Sequence, residues 1–315
     1  MSDMLGTRDA YGKTLARLGE EHPEIVVFDA DLSKSTRSAE FGKRFPDRFF
    51  NMGLAEQNML ATAAGMAAYG KMPFVSTFAI FASGRAWEQI RQSICYSDLN
   101  VKIVATHGGV TVGADGGSHQ CTEDVALMRV LPKMTVIVPA DAYETEQVIE
   151  AVVEHRGPTY IRLARSKFPV CYGPDCSFKI GRAHRIREGR DVSIIAVGLM
   201  VHEAMEARDL LAADGIDARV VNMSTIKPID EEEVLAAARE TGGIVTAEEH
   251  SVIGGLGSAV AEIVCEKHPV PVKRIGVQDL FGMSGDPDSL LEFYGLKARD
   301  IAEAAKVVLD ESARA

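Results

Sequence analysis

A chain of 315 residues with 46% apolar and 25% charged side chains has the make-up of an ordinary folded protein, long enough for about two domains with separate cores. The formal charge of −11 argues against a nucleic-acid or anionic-membrane partner, either of which selects a basic face. No window approaches ~18 uninterrupted apolar residues, the start shows no secretory pattern, and five cysteines without a CxxC spacing read as reduced thiols, so the expected setting is the cytoplasm.

Short β-branched runs alternate with helical patterns along the chain. Ile25 to Phe28 is the first predicted strand, followed by helical spacing over Leu54 to Ala68. Strands are then predicted at Phe74 to Thr77 and Val101 to Ala105, with a helix over Gly84 to Cys95 between them. Thr135 to Val138 and Tyr160 to Leu163 flank a helix over Ala142 to Val153. Later come strands at Val192 to Val197, Ala218 to Asn222, Ile244 to Ala247 and Val272 to Ile275, interleaved with helices at His202 to Ala213, Glu231 to Ala238 and Leu256 to Cys265. Such alternation implies α/β architecture: two doubly wound domains with mostly parallel sheets covered on both faces. A Pro- and Gly-rich stretch from Pro169 to Cys176, then a basic run to Arg190, marks a linker. The expected boundaries are 1–172 for the larger domain and 187–315 for the smaller.

Ligands in these folds lie beyond the carboxyl ends of the strands, and Asp31, Phe78, His107 and Arg165 each follow a predicted strand. Glu56, in Gly53-Leu-Ala-Glu-Gln-Asn-Met59, opens a predicted helix; a helix dipole alone favours an acid there, while a closed site would use it to exchange a proton with a ligand. Phe74, Phe78 and Phe81 have the spacing of core residues, yet Phe78 and Phe81 stand where a ring can be stacked. The loop Gly108 to His119 holds five glycines, Asp115 within it and His107 and His119 at its ends. Glycine lets backbone approach a ligand closely, but the loop matches neither nucleotide-phosphate pattern. Gly254-Gly-Leu-Gly257 lacks a lysine and reads as a tight strand-to-helix turn. Cys171 and Cys176 without nearby histidines make a poor zinc site.

Taken in order, Asp29-Ala-Asp-Leu-Ser-Lys-Ser35, Gly53-Leu-Ala-Glu56, Ser76-Thr-Phe78, Gly113-Ala-Asp-Gly-Gly-Ser-His-Gln120 and Leu163-Ala-Arg165 resemble the carboxyl-terminal two thirds of transketolase. The resemblance implies a pyrimidine-binding domain of the thiamine-diphosphate enzymes followed by a transketolase C-terminal-type domain, with the smaller domain carrying the similar stretch Val245 to Gly257. It implies that Glu56 bonds the cofactor's aminopyrimidine, that Phe81 stacks on it with Phe78 as a neighbouring wall, and that Asp31 lies near the cofactor. Asp115 and His119 would grip donor hydroxyls beside the reacting carbon, and Arg8, Ser35, His107 and Arg165 would hold the sugar phosphate. Two positions depart from the family pattern: Ala114-Asp-Gly-Gly-Ser-His119 stands for Glu-Asp-Gly-Pro-Thr-His, and Gly84 stands where an aromatic is usual.

No Gly-Asp-Gly motif for the cofactor's diphosphate and metal is present. The resemblance therefore implies the C-terminal subunit of a split transketolase, a glycolaldehyde transferase of pentose phosphate metabolism. An N-terminal subunit would supply most ligands to Mg2+ or Ca2+ in an α2β2 heterotetramer. The β subunit of a 2-oxoacid dehydrogenase E1 has the same size but no need of a sugar-phosphate cluster. A 1-deoxyxylulose-5-phosphate-synthase-like half shares the glycine-rich loop, and a non-catalytic α/β module would not need Glu56, Asp115 and His119 together.

Overall fold

The computed structural model describes residues 3–314, which form two α/β domains. Seven strands make the first sheet, in the spatial order Thr225–Lys227, Thr135–Ile137, Thr159–Arg162, Lys102–Thr106, Met72–Phe78, Ile25–Asp29 and Phe49–Asn51. All neighbours are parallel except Thr225–Lys227, which runs antiparallel to Thr135–Ile137. That edge strand comes from late in the chain, so the second half of the sequence completes the sheet of the first. Its lysine is tied down as well: Lys227 Nζ donates to the carbonyl of Arg129 at 2.9 Å and to that of Leu131.

The second sheet has five strands in the order Val272–Val277, Ile244–Ser251, Val192–Ala196, Ala218–Asn222 and His184–Arg187, with only the last antiparallel. Its central strands, Val192–Ala196 and Ala218–Asn222, are buried throughout, as strands covered on both faces must be. The apolar runs of the sequence are these central strands.

Helices Thr7–Glu21 and Ala142–Glu154 pack together on one face of the first sheet, around Tyr11, Leu15, Phe41, Val148 and Val152. On the other face, Met59, Met128 and Val138 share one apolar core with Met223, Ile226 and Leu256 from the later half of the chain. The domains are thus joined by continuous packing. Burial on this scale stabilises by roughly 25 cal/mol for each Å2 of apolar surface removed from water. Polar contacts fix the junction: Asp141 caps helix Ala142–Glu154 through the Glu144 amide (2.9 Å), and its other oxygen accepts from the linker amides of Cys171 (2.7 Å) and Tyr172 (2.8 Å). Removal of this one carboxylate would release both a helix start and the linker.

Where a helix was expected over Gly84 to Cys95, the chain makes wide π-type turns at Phe81–Arg85 and Ile90–Cys95 around a short α segment, Trp87–Gln89. Such turns re-aim side chains within a helical path. Among the described residues, no helix is long and apolar enough to cross a membrane.

Candidate active site

The candidate residues gather at the carboxyl ends of the central strands of the first sheet. Phe78 is the last residue of Met72–Phe78, rather than the one after it, and His107 follows Lys102–Thr106 directly. Arg165 lies three positions beyond Thr159–Arg162, and Arg8 sits in the first turn of helix Thr7–Glu21. Parallel neighbours in a twisted sheet deliver these side chains to one rim.

Glu56 is the first residue of helix Glu56–Ala68 and only 4% exposed. Its Oε1 accepts from Arg85 Nη1 at 3.0 Å. The same guanidinium lies over the Phe81 ring, 4.0 Å from its centroid. The slot between this carboxylate and this ring therefore already holds a flat, hydrogen-bonding cation. A cleft of about 520 Å3 lined by Leu54 to Asn58 and Arg85 opens beside it.

Phe78 joins Phe81 to the histidines. Its ring stacks on His107 (centroids 3.7 Å apart, 18° between planes) and on Phe81 (5.6 Å, 14°), while His119 meets Phe81 edge-on at 5.5 Å. His107 Nδ1 is 2.8 Å from the Thr106 hydroxyl. Burial, then the charges of Arg8 and Arg165, push the His107 pKa down to about 3. At neutral pH this imidazole is uncharged.

Arg8, Arg165 and Arg37 form the basic side of the site. Burial, followed by the charges of Arg37 and Arg165, lowers the pKa of Arg8, against the opposing charge of Asp9, which pairs with Arg37 at 2.7 Å. Arg8 Nη1 donates to the Ser35 carbonyl at 2.8 Å, so Ser35 enters the cluster through its backbone. Arg165 Nη1 donates to the Val112 carbonyl at 2.8 Å, and its Nε stands 4.0 Å from Asp115 Oδ2. That links the basic cluster to the glycine-rich loop. Asp31 is placed differently: it accepts from Asn51 on the neighbouring edge strand at 2.9 Å, with φ of +65°.

Close approach shapes the loop itself. Gly109 has φ of +81°, and a Cβ there would lie 2.1 Å from the Glu249 carboxyl carbon; one on Gly117 would lie 2.5 Å from the Gly282 carbonyl oxygen. Both neighbours belong to the second domain, whose chain is thus pressed against the loop carrying Asp115 and His119. Gln120 adds a bond from its Nε2 to the Met283 carbonyl at 2.9 Å.

At the later glycine turn, Glu248 accepts from the amides of Leu256 (2.7 Å) and Gly257 (2.8 Å). The helix start is filled by the chain's own carboxylate, which agrees with a tight turn rather than a phosphate loop. Among the described residues, no three His, Cys, Asp or Glu side chains are placed to hold a metal ion.

Sequence reasoning missed Arg37, which gave no signal of its own, and Arg85. The only signal of Arg85 was its place just after Gly84, where the usual aromatic is lacking; a Cβ at Gly84 would meet nothing nearer than Ile80 Cδ1 at 3.7 Å.

Comparison with known proteins matches two family models: the transketolase pyrimidine binding domain over residues 3–170 and the transketolase C-terminal domain over residues 181–301. A Methanocaldococcus jannaschii protein bearing the name of a transketolase C-terminal section is 50% identical over 95% of this chain and 94% of its own length. A 6-deoxy-6-sulfo-D-fructose transketolase subunit from Clostridium is 44% identical over 96% of this chain and 94% of its own. The solved structure of a split-gene transketolase, an inactive β4 tetramer, superposes with a TM-score of 0.90 at 55% identity, covering 98% of this chain and all of that one.

Proposed function

This chain belongs to the transketolase family, as the C-terminal subunit of a split enzyme, and on that premise we propose that it transfers two-carbon ketol units between sugar phosphates. A ketose phosphate gives up its first two carbons and leaves as the shorter aldose phosphate; an acceptor aldose phosphate takes them and leaves as a ketose two carbons longer. When bound, thiamine diphosphate supplies the nucleophilic carbon and the electron sink that such a cleavage needs.

The observation that carries this reading is the slot between Glu56 and Phe81. It already accepts a planar group that hydrogen-bonds the carboxylate and stacks on the ring, so the residues fit an aminopyrimidine. Glu56 would hold a ring nitrogen and move a proton there, with Phe81 as the stacking surface and Phe78 as its wall. Asp31, at the neighbouring strand end, would lie toward the cofactor. Asp115 and His119 would hold the donor's hydroxyls, while Arg8, Ser35, neutral His107 and Arg165 would receive an anionic tail. Arg37 joins this cluster by position. A sulfonate, as on the sugar in the Clostridium relative's name, offers the same kind of anion as a phosphate.

The chain's own part is half of the enzyme. An N-terminal subunit would bring the diphosphate contacts and most ligands of a Mg2+ or Ca2+ ion, in an α2β2 heterotetramer. Relatives of nearly the same length that are named as sections or subunits support this. The cytoplasm is the setting that goes with it, because phosphorylated sugars are retained inside cells.

The test is reconstitution. Purified chain is mixed with an N-terminal partner chain, thiamine diphosphate and Mg2+, and transfer from ketose phosphate donors to aldose phosphate acceptors is followed. Turnover only with both chains is the expected result. No transfer from any ketose donor, despite a stable complex that binds cofactor, would overturn the reading.

A further inference from the structure

Arg85 completes two contacts at once. Its guanidinium donates to Glu56 Oε1 at 3.0 Å and lies 4.0 Å from the centre of the Phe81 ring, while its side chain remains 52% exposed. A guanidinium is flat, donates hydrogen bonds in its plane and stacks on aromatic faces. Those are also the properties of a protonable aminopyrimidine. Glu56 has reason to be held: a buried carboxylate with no partner is costly, and Arg85 gives it one in the free subunit. The backbone at Arg85 is held, its carbonyl accepting from Gln57 Nε2 at 3.0 Å, while the half-exposed side chain can turn outward about its own bonds without moving that backbone.

We propose that Arg85 is a gate on the cofactor slot: in the free chain its side chain occupies the place of the pyrimidine ring and must swing into solvent before the ring can enter. This rests on the reading of Glu56 and Phe81 as the ring's binding surfaces. One face of the Phe81 ring cannot carry two flat groups at once, and Arg85 lies over it, so the two compete. Apparent affinity then falls by the fraction of chains whose gate is open. A half-exposed ion pair and an exposed cation–π contact are each modest, which sets the effect at roughly tenfold.

The experiment uses the full chain alone, with thiamine as the probe because it carries the ring without the diphosphate. Binding is followed by calorimetry and by the fluorescence of Trp87, the single tryptophan of the chain, two positions after Arg85. Arg85→Ala is expected to bind thiamine about tenfold more tightly than the natural chain, and Arg85→Lys, which keeps the charge but not the flat face, about threefold. Unchanged or weaker binding by Arg85→Ala would overturn the gate. If Arg85→Ala unfolds because Glu56 is left without a partner, Arg85→Lys decides: binding equal to or weaker than the natural chain rejects the proposal. The gate and the enzymatic reading fail separately. Reconstituted transfer with no tightening removes the gate alone, whereas tightening without transfer from any donor leaves the gate and removes the transferase.

Discussion

The rings of Phe78 and His107 lie face to face, with centroids 3.7 Å apart and 18° between their planes. Phe78 ends one strand and His107 follows its neighbour, so the register Phe78 to Thr106 sets the contact. Burial, with the charges of Arg8 and Arg165 acting on the ring as well, holds the His107 pKa near 3.

His107 is therefore expected to stay neutral from pH 8 to pH 5. Because the folded pKa lies below the unfolded value of ~6.5, its contribution to stability is present above pH ~6.5 and lost as the pH falls toward 3. Between pH 7 and 5 that loss amounts to at most about 2 kcal/mol. His107→Asn suits the test, since φ at this position is +62° and Asn tolerates left-handed backbone. Urea unfolding should show a shallower acid loss in the variant, and a His107 ring resonance that titrates near pH 6.5 would refute the assignment.

Glu56→Gln removes the charge but keeps the shape. Assembly and melting temperature should change little, while turnover of the reconstituted enzyme falls by about 10²–10⁴-fold, the usual worth of one positioned acid–base group. Near-normal turnover would take Glu56 out of the chemistry.

The strands buried on both faces were legible because continuous β-branched runs such as Val192–Ala196 have few other uses. Glu56, Phe78, Phe81 and the loop from Gly113 to His119 were legible as motifs. What escaped were features set by tertiary contact. Helix Thr7–Glu21 buries Gly12 and Gly19 on its inner face, so its apolar periodicity is diluted. Strand Thr225–Lys227 is three residues long and pairs with a sheet some ninety positions earlier, which local pattern does not reveal. The Arg85–Glu56 contact spans 29 positions and depends on a π-type turn. Ser35 was read only as a member of the phosphate-holding cluster, and the contact found is from Arg8 to its backbone carbonyl.

Asp124 is fully buried between Arg162 Nε (3.1 Å) and the Tyr160 hydroxyl, which donates to it at 2.7 Å. Arg162 in turn donates to the Glu249 carbonyl of the second domain at 2.7 Å. Asp124→Ala removes the carboxylate paired with a buried guanidinium, which typically costs about 3–5 kcal/mol, with the Glu249 carboxylate the remaining opposite charge that acts on Arg162. Denaturant unfolding should show that loss with the domain junction weakened first, seen as faster amide exchange around Glu249. A loss below ~1 kcal/mol would mean that the site admits water.

Arg165 performs two tasks that one pair of substrates can separate. Through Nη1 it holds the Val112 carbonyl, a structural bond at the root of the glycine-rich loop; through its charge it faces the space shared with Arg8. If that charge receives the tail of a sugar phosphate, Arg165→Ala should cost a charged hydrogen bond, about 1.5–3 kcal/mol, or roughly 10–150-fold in kcat/KM for phosphorylated donors. A donor without a phosphate should lose far less. Arg8→Ala should behave alike, and the double variant should lose less than the product of the two, because groups that share one anion are coupled. Equal losses with both kinds of donor would assign Arg165 to the loop alone, through Val112 and Asp115. The anionic-tail reading would then rest on Arg8, and the double-variant cycle should come out additive.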